Sequence, residues 1–320
     1  MPDTCVVHLV WGPLGEQPLE RFAASYRRHP AGREHHLVLL LNGVEDPALS
    51  DRARALAAEL GASCVDLRRR ALDLEAYVAA AVRLDAEVLC FLNSYSRILA
   101  DDWLAQLRGA LDQPRVGLAG ATGSWGSQLD YIRYQLGLRS AYAAVYEHRE
   151  ATRQAMLRLS RLHDPSVRDR GRLASQLGML TMLIRQTPTF ARFPAPHVRT
   201  NAFAVRRPLL LDAWPRRVRG KLAAYRLENG RASLTARVLD AGLRAVVVGR
   251  DGAVHDVEGW PDSETFWQGE QRNLLVADNR TDDYAEGDHE RRLLLARYAW
   301  ADRARALAPL TAGDPRRAPE

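Results

Sequence analysis

Short, almost wholly apolar runs alternate along the first third of the chain with longer stretches in which apolar residues recur every three or four positions. The runs are "CVVHLVW" (5–11), "HHLVLLL" (35–41), "SCVDL" (63–67), "EVLCFLN" (87–93) and "RVGLAGAT" (115–122). Strands covered on both faces look like this, because neither side of the pleat meets water. Between them, "EQPLERFAASYRRH" (16–29) places Leu19, Phe22, Ala23 and Tyr26 on one helical face. Further helices are predicted over 46–60, ending at Gly61 as C-cap, over 73–84 with Asp73 as N-cap, and over 100–112 with Asp101 or Asp102 as cap.

Strands alternating with helices at this spacing imply βαβ units and a mostly parallel sheet flanked by helices, an α/β fold. Right-handed crossovers then put the ligand crevice at the carboxyl ends of the strands. Those ends are Trp11-Gly12, Asn42-Gly43, Asp66 and Asn93-Ser94-Tyr95, which gather on one rim. The pattern changes over 128–193, where "IRYQLGLRSAYAAVYEHREATRQAMLRLSRL" and "RGRLASQLGMLTMLIRQ" are helical, basic and amphipathic. This reads as a helical insertion, either a subdomain packed on the core or a lid or membrane-surface helix. A strand pattern returns in "HVRTNAFAVRR" (197–207), followed by a helix from Ser233 to Ala241 and a strand in "LRAVVVGRDG" (243–252). The polar and aromatic stretch after it, "DSETFWQGEQRNLLVADNRTDDY", has no clean period and is expected to wrap across the crevice. Residues 305–320 read as a flexible tail.

Composition narrows the function. The 320 residues are 47% hydrophobic, enough for a sizeable core, and carry a formal charge of +6. Lys221 is the one lysine, so arginine supplies nearly all the positive charge. That suits an anionic ligand or an anionic membrane surface. Nucleic acid is disfavoured, since the arginines are dispersed and no basic arm, zinc-finger spacing or RNA-binding signature occurs. Cys5, Cys64 and Cys90 lie in or beside apolar runs without a CxxC, as reduced core residues do. The opening "MPDTCVVHLVWG" lacks the basic and apolar blocks of a signal peptide, and no apolar run reaches the length of a membrane span. The expectation is a cytoplasmic protein, with peripheral membrane contact open.

The segments "CFLNSYSRILADDWLAQL" and "YRLENGRASLTARVLDAGLRAVVVG" carry a resemblance. In order and spacing they are similar to the fourth strand with its metal-motif turn, and to the late acidic helix and following strand, of GT-A (Rossmann-like) glycosyltransferases of the broad family 2 group. The resemblance covers residues 4–125 and 197–252 in pattern. It implies a nucleotide-sugar-binding half over 1–127, the helical insertion over 128–193, and an acceptor and catalytic half over 194–304. Its implied partners are a nucleotide sugar and a glycan, lipid-linked or small-molecule acceptor, and its implied activity is transfer of the sugar to a hydroxyl, with inversion.

The chain departs from that family at the metal motif. Asn93 and Tyr95 stand where two aspartates would hold Mg²⁺ or Mn²⁺ against the donor diphosphate. A hard divalent ion prefers charged oxygen ligands, so no cofactor is assigned and Mg²⁺ or Mn²⁺ stays a candidate. Arg97, Arg199 and Lys221 are the expected replacements, and Arg97 and Arg199 are also readable as solvated side chains. Trp11, Asn42, Asp73, Asn93, Ser94, Tyr95 and Arg97 make up the expected donor side. Asn42 doubles as a turn residue beside Gly43, and Asp73 as a cap. His197, Arg199, Asn201 and Lys221 make up the acceptor and phosphate side. Glu228, in "LENGRASLT" before a turn and a helix, is the expected general base, with a loop acid near a helix start as the plainer reading. His255 and Asp256 are weak metal candidates. Ser124–Gly126, Trp260 and Trp267 are expected sugar platforms or core. The competing readings are a non-catalytic relative that binds a glycan, nucleotide or protein, and a nucleotidyltransferase. The latter is disfavoured because "WGPLGEQP" after the first strand has glycines but no basic residue.

Overall fold

The computed structural model describes residues 3–67, 70–163, 171–214, 217–218 and 220–304. Strands β1 (Thr4–Trp11), β2 (His36–Asn42), β3 (Ser63–Leu67) and β4 (Val88–Leu92) are joined through helices α1 (Gln17–Arg28), α2 (Pro47–Glu59) and α3 (Asp73–Arg83). A short β5 (Arg97–Ile98), α4 (Trp103–Leu111), β6 (Val116–Gly120) and β7 (Gly123–Ser124) follow. Three helices come next, α5 (Gln128–Gln135), α6 (Arg149–His163) and α7 (Arg172–Gln186). The chain then forms β8 (His197–Val198), β9 (Ala202–Arg206), α8 (Arg207–Ala213), α9 (Lys221–Asn229), α10 (Leu234–Asp240), β10 (Arg244–Val248) and β11 (Val254–His255). It closes with β12 (Val276–Ala277), α11 (Asn279–Ala285) and α12 (His289–Trp300).

The central sheet has eight strands in the order β11-β10-β6-β9-β4-β1-β2-β3. It is parallel except at β9, which runs antiparallel between β4 and β6, and at the edge strand β11. The expected mostly parallel sheet flanked by helices is therefore present. Period-two alternation sorts its side chains onto two faces. Val6, Val10, Leu39, Cys90 and Leu92 pack with Phe22 of α1, Leu56 of α2 and Trp103 of α4. Val7, Leu9, Leu40, Leu89 and Phe91 pack with Tyr77 of α3, Leu210 of α8, Val238 of α10 and Trp300 of α12. Burial of each such side chain contributes roughly 1.5–3 kcal/mol. Cys5, Cys64 and Cys90 are free thiols, and burial pushes Cys5 up to about 12.

Several local expectations change. Asp102 has a left-handed backbone (φ 58°) and makes no side-chain cap, while Asp101 hydrogen-bonds His29 Nδ1 at 2.8 Å. Asp73 is the first residue of α3 rather than its cap, which is Leu72. The strand expected over 197–207 breaks at Arg199-Thr200-Asn201 into β8 and β9. Because β9 is antiparallel, its start at Ala202 pairs with Leu92, the last residue of β4. The break therefore lies on the rim formed by the parallel strands' carboxyl ends. The expected tail, 305–320, lies outside the described residues.

Candidate functional site

The rim is built from tight backbone approaches. A Cβ on Gly12 would sit 2.1 Å from the Gly43 carbonyl oxygen, so the turns after β1 and β2 can touch only through glycine there. Across the rim, the Trp11 N–H donates to Ser94 Oγ (3.2 Å). Asn93 Oδ1 accepts from the Tyr95 N–H and the Ser96 hydroxyl, both at 3.0 Å, and its own N–H donates to the Asn201 carbonyl (2.8 Å). Asn201 is locked in turn by Thr122 Oγ1 (2.6 Å). The Asn93-Ser94-Tyr95 turn is thus a hydrogen-bonded brace between β4, β1 and the β8–β9 break. Its donors do not fit a hard divalent cation. Asn93 Oδ1 and Ser94 Oγ are committed, and burial, aided by the negative charge of Asp73, raises the Tyr95 phenol further from ionisation. Among the described residues no three His, Cys, Asp or Glu side chains come together as a metal site.

Below this rim opens a cavity of about 620 Å³, in the size range of small-molecule sites. Its walls come from β8, the 199–201 break, α5, α6, α7, α9, α12 and the loop at Phe266-Trp267. Glu228 faces it from the last turn of α9. Glu228 does precede a turn and a helix, α10, as expected, but it is not a loop residue: it lies in the last turn of α9, where the partial negative charge of the helix terminus disfavours a carboxylate. Gly230 stops α9, and a Cβ there would lie 2.4 Å from the Arg226 carbonyl. The Arg231 N–H then ties the turn to Thr189 (2.8 Å). Burial, and next the charge of Asp73, raise the Glu228 carboxyl to about 7, while Arg199 and Arg280 pull it down. Asp73, expected on the donor side, is solvent-accessible and does not line the cavity, though the protein packed around it raises its carboxyl above the usual range.

Arg199 and Arg280 line the same cavity as Glu228. Arg199 pairs with buried Asp278 (Nη2 to Oδ2, 2.7 Å) and lies over the Phe266 ring at 4.3 Å. Asp278 also caps α11, accepting from the Arg280 and Thr281 N–H groups in a capping box. Burial works against its charge, but Arg199, the Thr281 N–H and Arg280 hold it below the usual carboxylate range. Arg280 lines the cavity, and its pKa is lowered first by burial and then by Arg199. Two cationic side chains beside one cavity repel each other and attract an anion. The Phe266-Trp267 stack (4.3 Å between centroids) is carried by a loop with left-handed backbone at Glu264, Trp267 and Gln271. Strain of this kind is held where a surrounding structure fixes it, often at a site. His197 also lines the cavity, and burial lowers it to about 4, so it is neutral at pH 7.

The structure therefore brings together Glu228, Asn93, His197, Arg199, Asn201 and Trp267, with Ser124 on the same wall. Other expected residues go elsewhere. Asn42 is fully buried, with both ends of its amide hydrogen-bonded to the backbone of Ala71 at 2.9 Å, so it staples the α3 approach and faces no ligand. Arg97 is paired with Asp282 at 2.5 Å and does not line the cavity. Asp256 is paired with Arg244 (2.8 and 2.9 Å), and His255 lies on edge strand β11; neither reaches the cavity. Trp260 is core, its indole N–H on the His255 carbonyl. Lys221 opens α9, but its side chain lies outside the described residues. Arg280, Asp278 and Phe266 were missed. They sit in the aperiodic stretch after Gly252, where only the density of polar and aromatic residues marked them.

No family model and no curated protein matches the sequence. Solved structures resemble the chain at low identity. A mannosyltransferase from Pyrobaculum calidifontis, in complex with GDP-Man and Mn²⁺, is 14% identical over 82% of this chain and 60% of its own, with a TM-score of 0.43. Glucosyl-3-phosphoglycerate synthase from Mycobacterium tuberculosis, with Mn²⁺, UDP and glucosyl-3-phosphoglycerate, is 14% identical over 64% of this chain and 57% of its own, with a TM-score of 0.34. GalNAc-T7 with UDP, GalNAc and Mn²⁺ is 18% identical over 37% of this chain and 22% of its own, with a TM-score of 0.31. The chain spans 60% or less of the length of each. This likeness is one of partial architecture, and the chemistry of the cavity rests on its own residues.

Proposed function

We propose that this chain transfers a sugar from a nucleotide-activated donor to a hydroxyl acceptor, with Glu228 as general base. The observation that carries the proposal is that Glu228, Arg199 and Arg280 line one cavity, in which burial and the charge of Asp73 raise the Glu228 carboxyl to about 7. A base poised near ambient pH is suited to proton transfer and contributes roughly 10²–10⁴ in rate. In its ionised form Glu228 accepts the hydrogen bond of the acceptor hydroxyl. The hydroxyl oxygen attacks the anomeric carbon, its proton passes to Glu228, and the bond from that carbon to the diphosphate oxygen breaks. Attack opposite the leaving group inverts the configuration. Arg199 and Arg280 offset the charge that grows on the departing diphosphate, a role for which guanidinium geometry is suited. No step is routed through a metal, because the Asn93-Ser94-Tyr95 turn does not offer the ligands.

The test is calorimetric binding of a panel of nucleoside diphosphates and nucleotide sugars, with and without Mg²⁺ or Mn²⁺, together with two variants. Metal-independent binding of one nucleotide is expected. Glu228→Gln is expected to abolish sugar transfer while binding persists, and Arg280→Ala to weaken diphosphate binding about tenfold or more. A second reading, a non-catalytic binding protein of the same fold, is favoured by Asn93 and Tyr95 standing in place of carboxylates. It requires that Glu228→Gln change nothing.

A further inference from the structure

Helix α7 has two faces of different character. Leu173, Leu177, Leu180 and Ile184 are 77, 66, 47 and 68% exposed. Their spacing of four, three and four residues aligns them in one narrow stripe along the helix. On the other side, Thr181, Met182, Arg185 and Gln186 line the cavity. Four large aliphatic side chains in a row on the water face of a helix are not a packing by-product, since single exposed apolar residues are ordinary but a continuous stripe is not.

The charge of the surrounding sequence says what would cover it. The segment 149–186 holds eight arginines against three acidic residues, and α7 itself has no acidic residue. An apolar stripe on an acid-free helix within a basic segment fits a helix lying in the plane of a bilayer interface, with its aliphatic side in the acyl boundary and the segment's cations at anionic headgroups. No described helix is long and apolar enough to cross a membrane, so contact would be from the surface. We propose that α7 docks this protein on an anionic lipid surface. The apolar flank of the cavity, with Met156, Leu159, Met182 and Leu222, then opens beside that surface. If the cavity is the transfer site proposed above, on which this last step rests, the acceptor is an amphiphile whose hydroxyl reaches Glu228 while its apolar part stays along α6 and α7.

The docking is tested on the full chain by co-sedimentation with vesicles of phosphatidylcholine alone and with about 30 mol% phosphatidylglycerol. Binding to the anionic vesicles is expected, weaker by about tenfold or more on phosphatidylcholine and weakened by salt. Leu177→Glu/Ile184→Glu is expected to lower it by about tenfold or more, with circular dichroism and nucleotide binding unchanged. The milder pair Leu177→Ser/Ile184→Ser should fall between. Equal binding of the variants, or no binding to either vesicle, overturns the proposal. So does a light-scattering result in which the wild type is a dimer and the glutamate pair a monomer, because a second copy would then cover the stripe. Glu228→Gln should keep its vesicle binding, so failure of docking and failure of the transfer reading are separable.

Discussion

Replacing Glu228 by glutamine should make the protein more stable as it makes it inactive, and the size of the effect follows from the site. The folded carboxyl is raised to about 7 from the ordinary value of 4.5. A raised folded pKa means that the group's stability contribution is fully present below about 4.5 and is lost as pH rises through about 7. The shift corresponds to about 3 kcal/mol at pH 8 if no water screens it. Glu228 is only partly shielded from the cavity, so about half of that, 1–2 kcal/mol, is the expected cost of holding the charge. Glutamine has the same shape and no ionisation, so the variant escapes the cost. Urea unfolding of wild type and Glu228→Gln should therefore diverge by about 1–2 kcal/mol at pH 8 and converge near pH 4.5. Comparing the two proteins at each pH cancels the other titrating groups. The same carboxyl sets activity: wild-type kcat/KM should rise with pH through about 7, near a tenth of its plateau at pH 6. If Glu228→Gln is equally or less stable at pH 8, the carboxyl is not held near neutrality and the argument for it as base fails.

Other sites give independent checks. His8 is fully buried with neither ring nitrogen hydrogen-bonded, is stacked on Phe22 at 3.7 Å, and is lowered by burial to about 3. Its contribution is present above about 6.5 and lost as pH falls towards 3, so His8→Leu should recover about 3 kcal/mol at pH 4 and little at pH 8 in denaturant titrations. Arg199→Ala leaves the buried Asp278 carboxylate without its ion-pair partner and should cost about 3–5 kcal/mol in thermal or urea unfolding, well beyond a surface arginine. Asn42→Ala leaves the Ala71 N–H and carbonyl unpaired in the interior, at about 2–4 kcal/mol, with nucleotide affinity in calorimetry unchanged.

What could be read from the sequence was whatever short-range pattern dictates. Continuous apolar runs gave the parallel strands, and their order placed a polar rim at the carboxyl ends. Glu228 stood out because the resemblance carried by "YRLENGRASLTARVLDAGLRAVVVG" puts a general base there; the local pattern alone suggested only a loop acid near a helix start. The rest depended on partners far along the chain. Arg97 looked available for phosphate until Asp282, 185 positions away, was seen to hold it. Asn42 looked like a turn residue or a ligand, and its partner at Ala71 came from folding the next crossover back onto β2. The alternation in "HVRTNAFAVRR" suggested one strand, yet Asn201 is claimed by Thr122, Asn93 and Val276, which breaks it. α9 was invisible as a helix because it is only nine residues long and bounded by glycines at both ends.

The rim and the cavity together show how a turn without carboxylates could serve the transfer proposed above. A pair of aspartates at 93 and 95 would bring two negative charges to a diphosphate and so would require a divalent cation to reverse the sign. Here the turn is neutral and spends its polar atoms on bracing β4 against β1 and the β8–β9 break. That same brace fixes the backbone from which Arg199 projects. Asp278 then does two things at once: it anchors Arg199, and by capping α11 it sets the position of Arg280 two residues later. The two guanidinium groups are thus fixed by the protein, with Asp278 offsetting part of their charge, and the acid of α9 that lines the same cavity, Glu228, is left close to the midpoint of its titration. An arrangement that served only to pack the core would have little reason to hold two guanidinium groups and a half-ionised carboxyl around open space, since each is costly to desolvate and apolar side chains would fill the gap better.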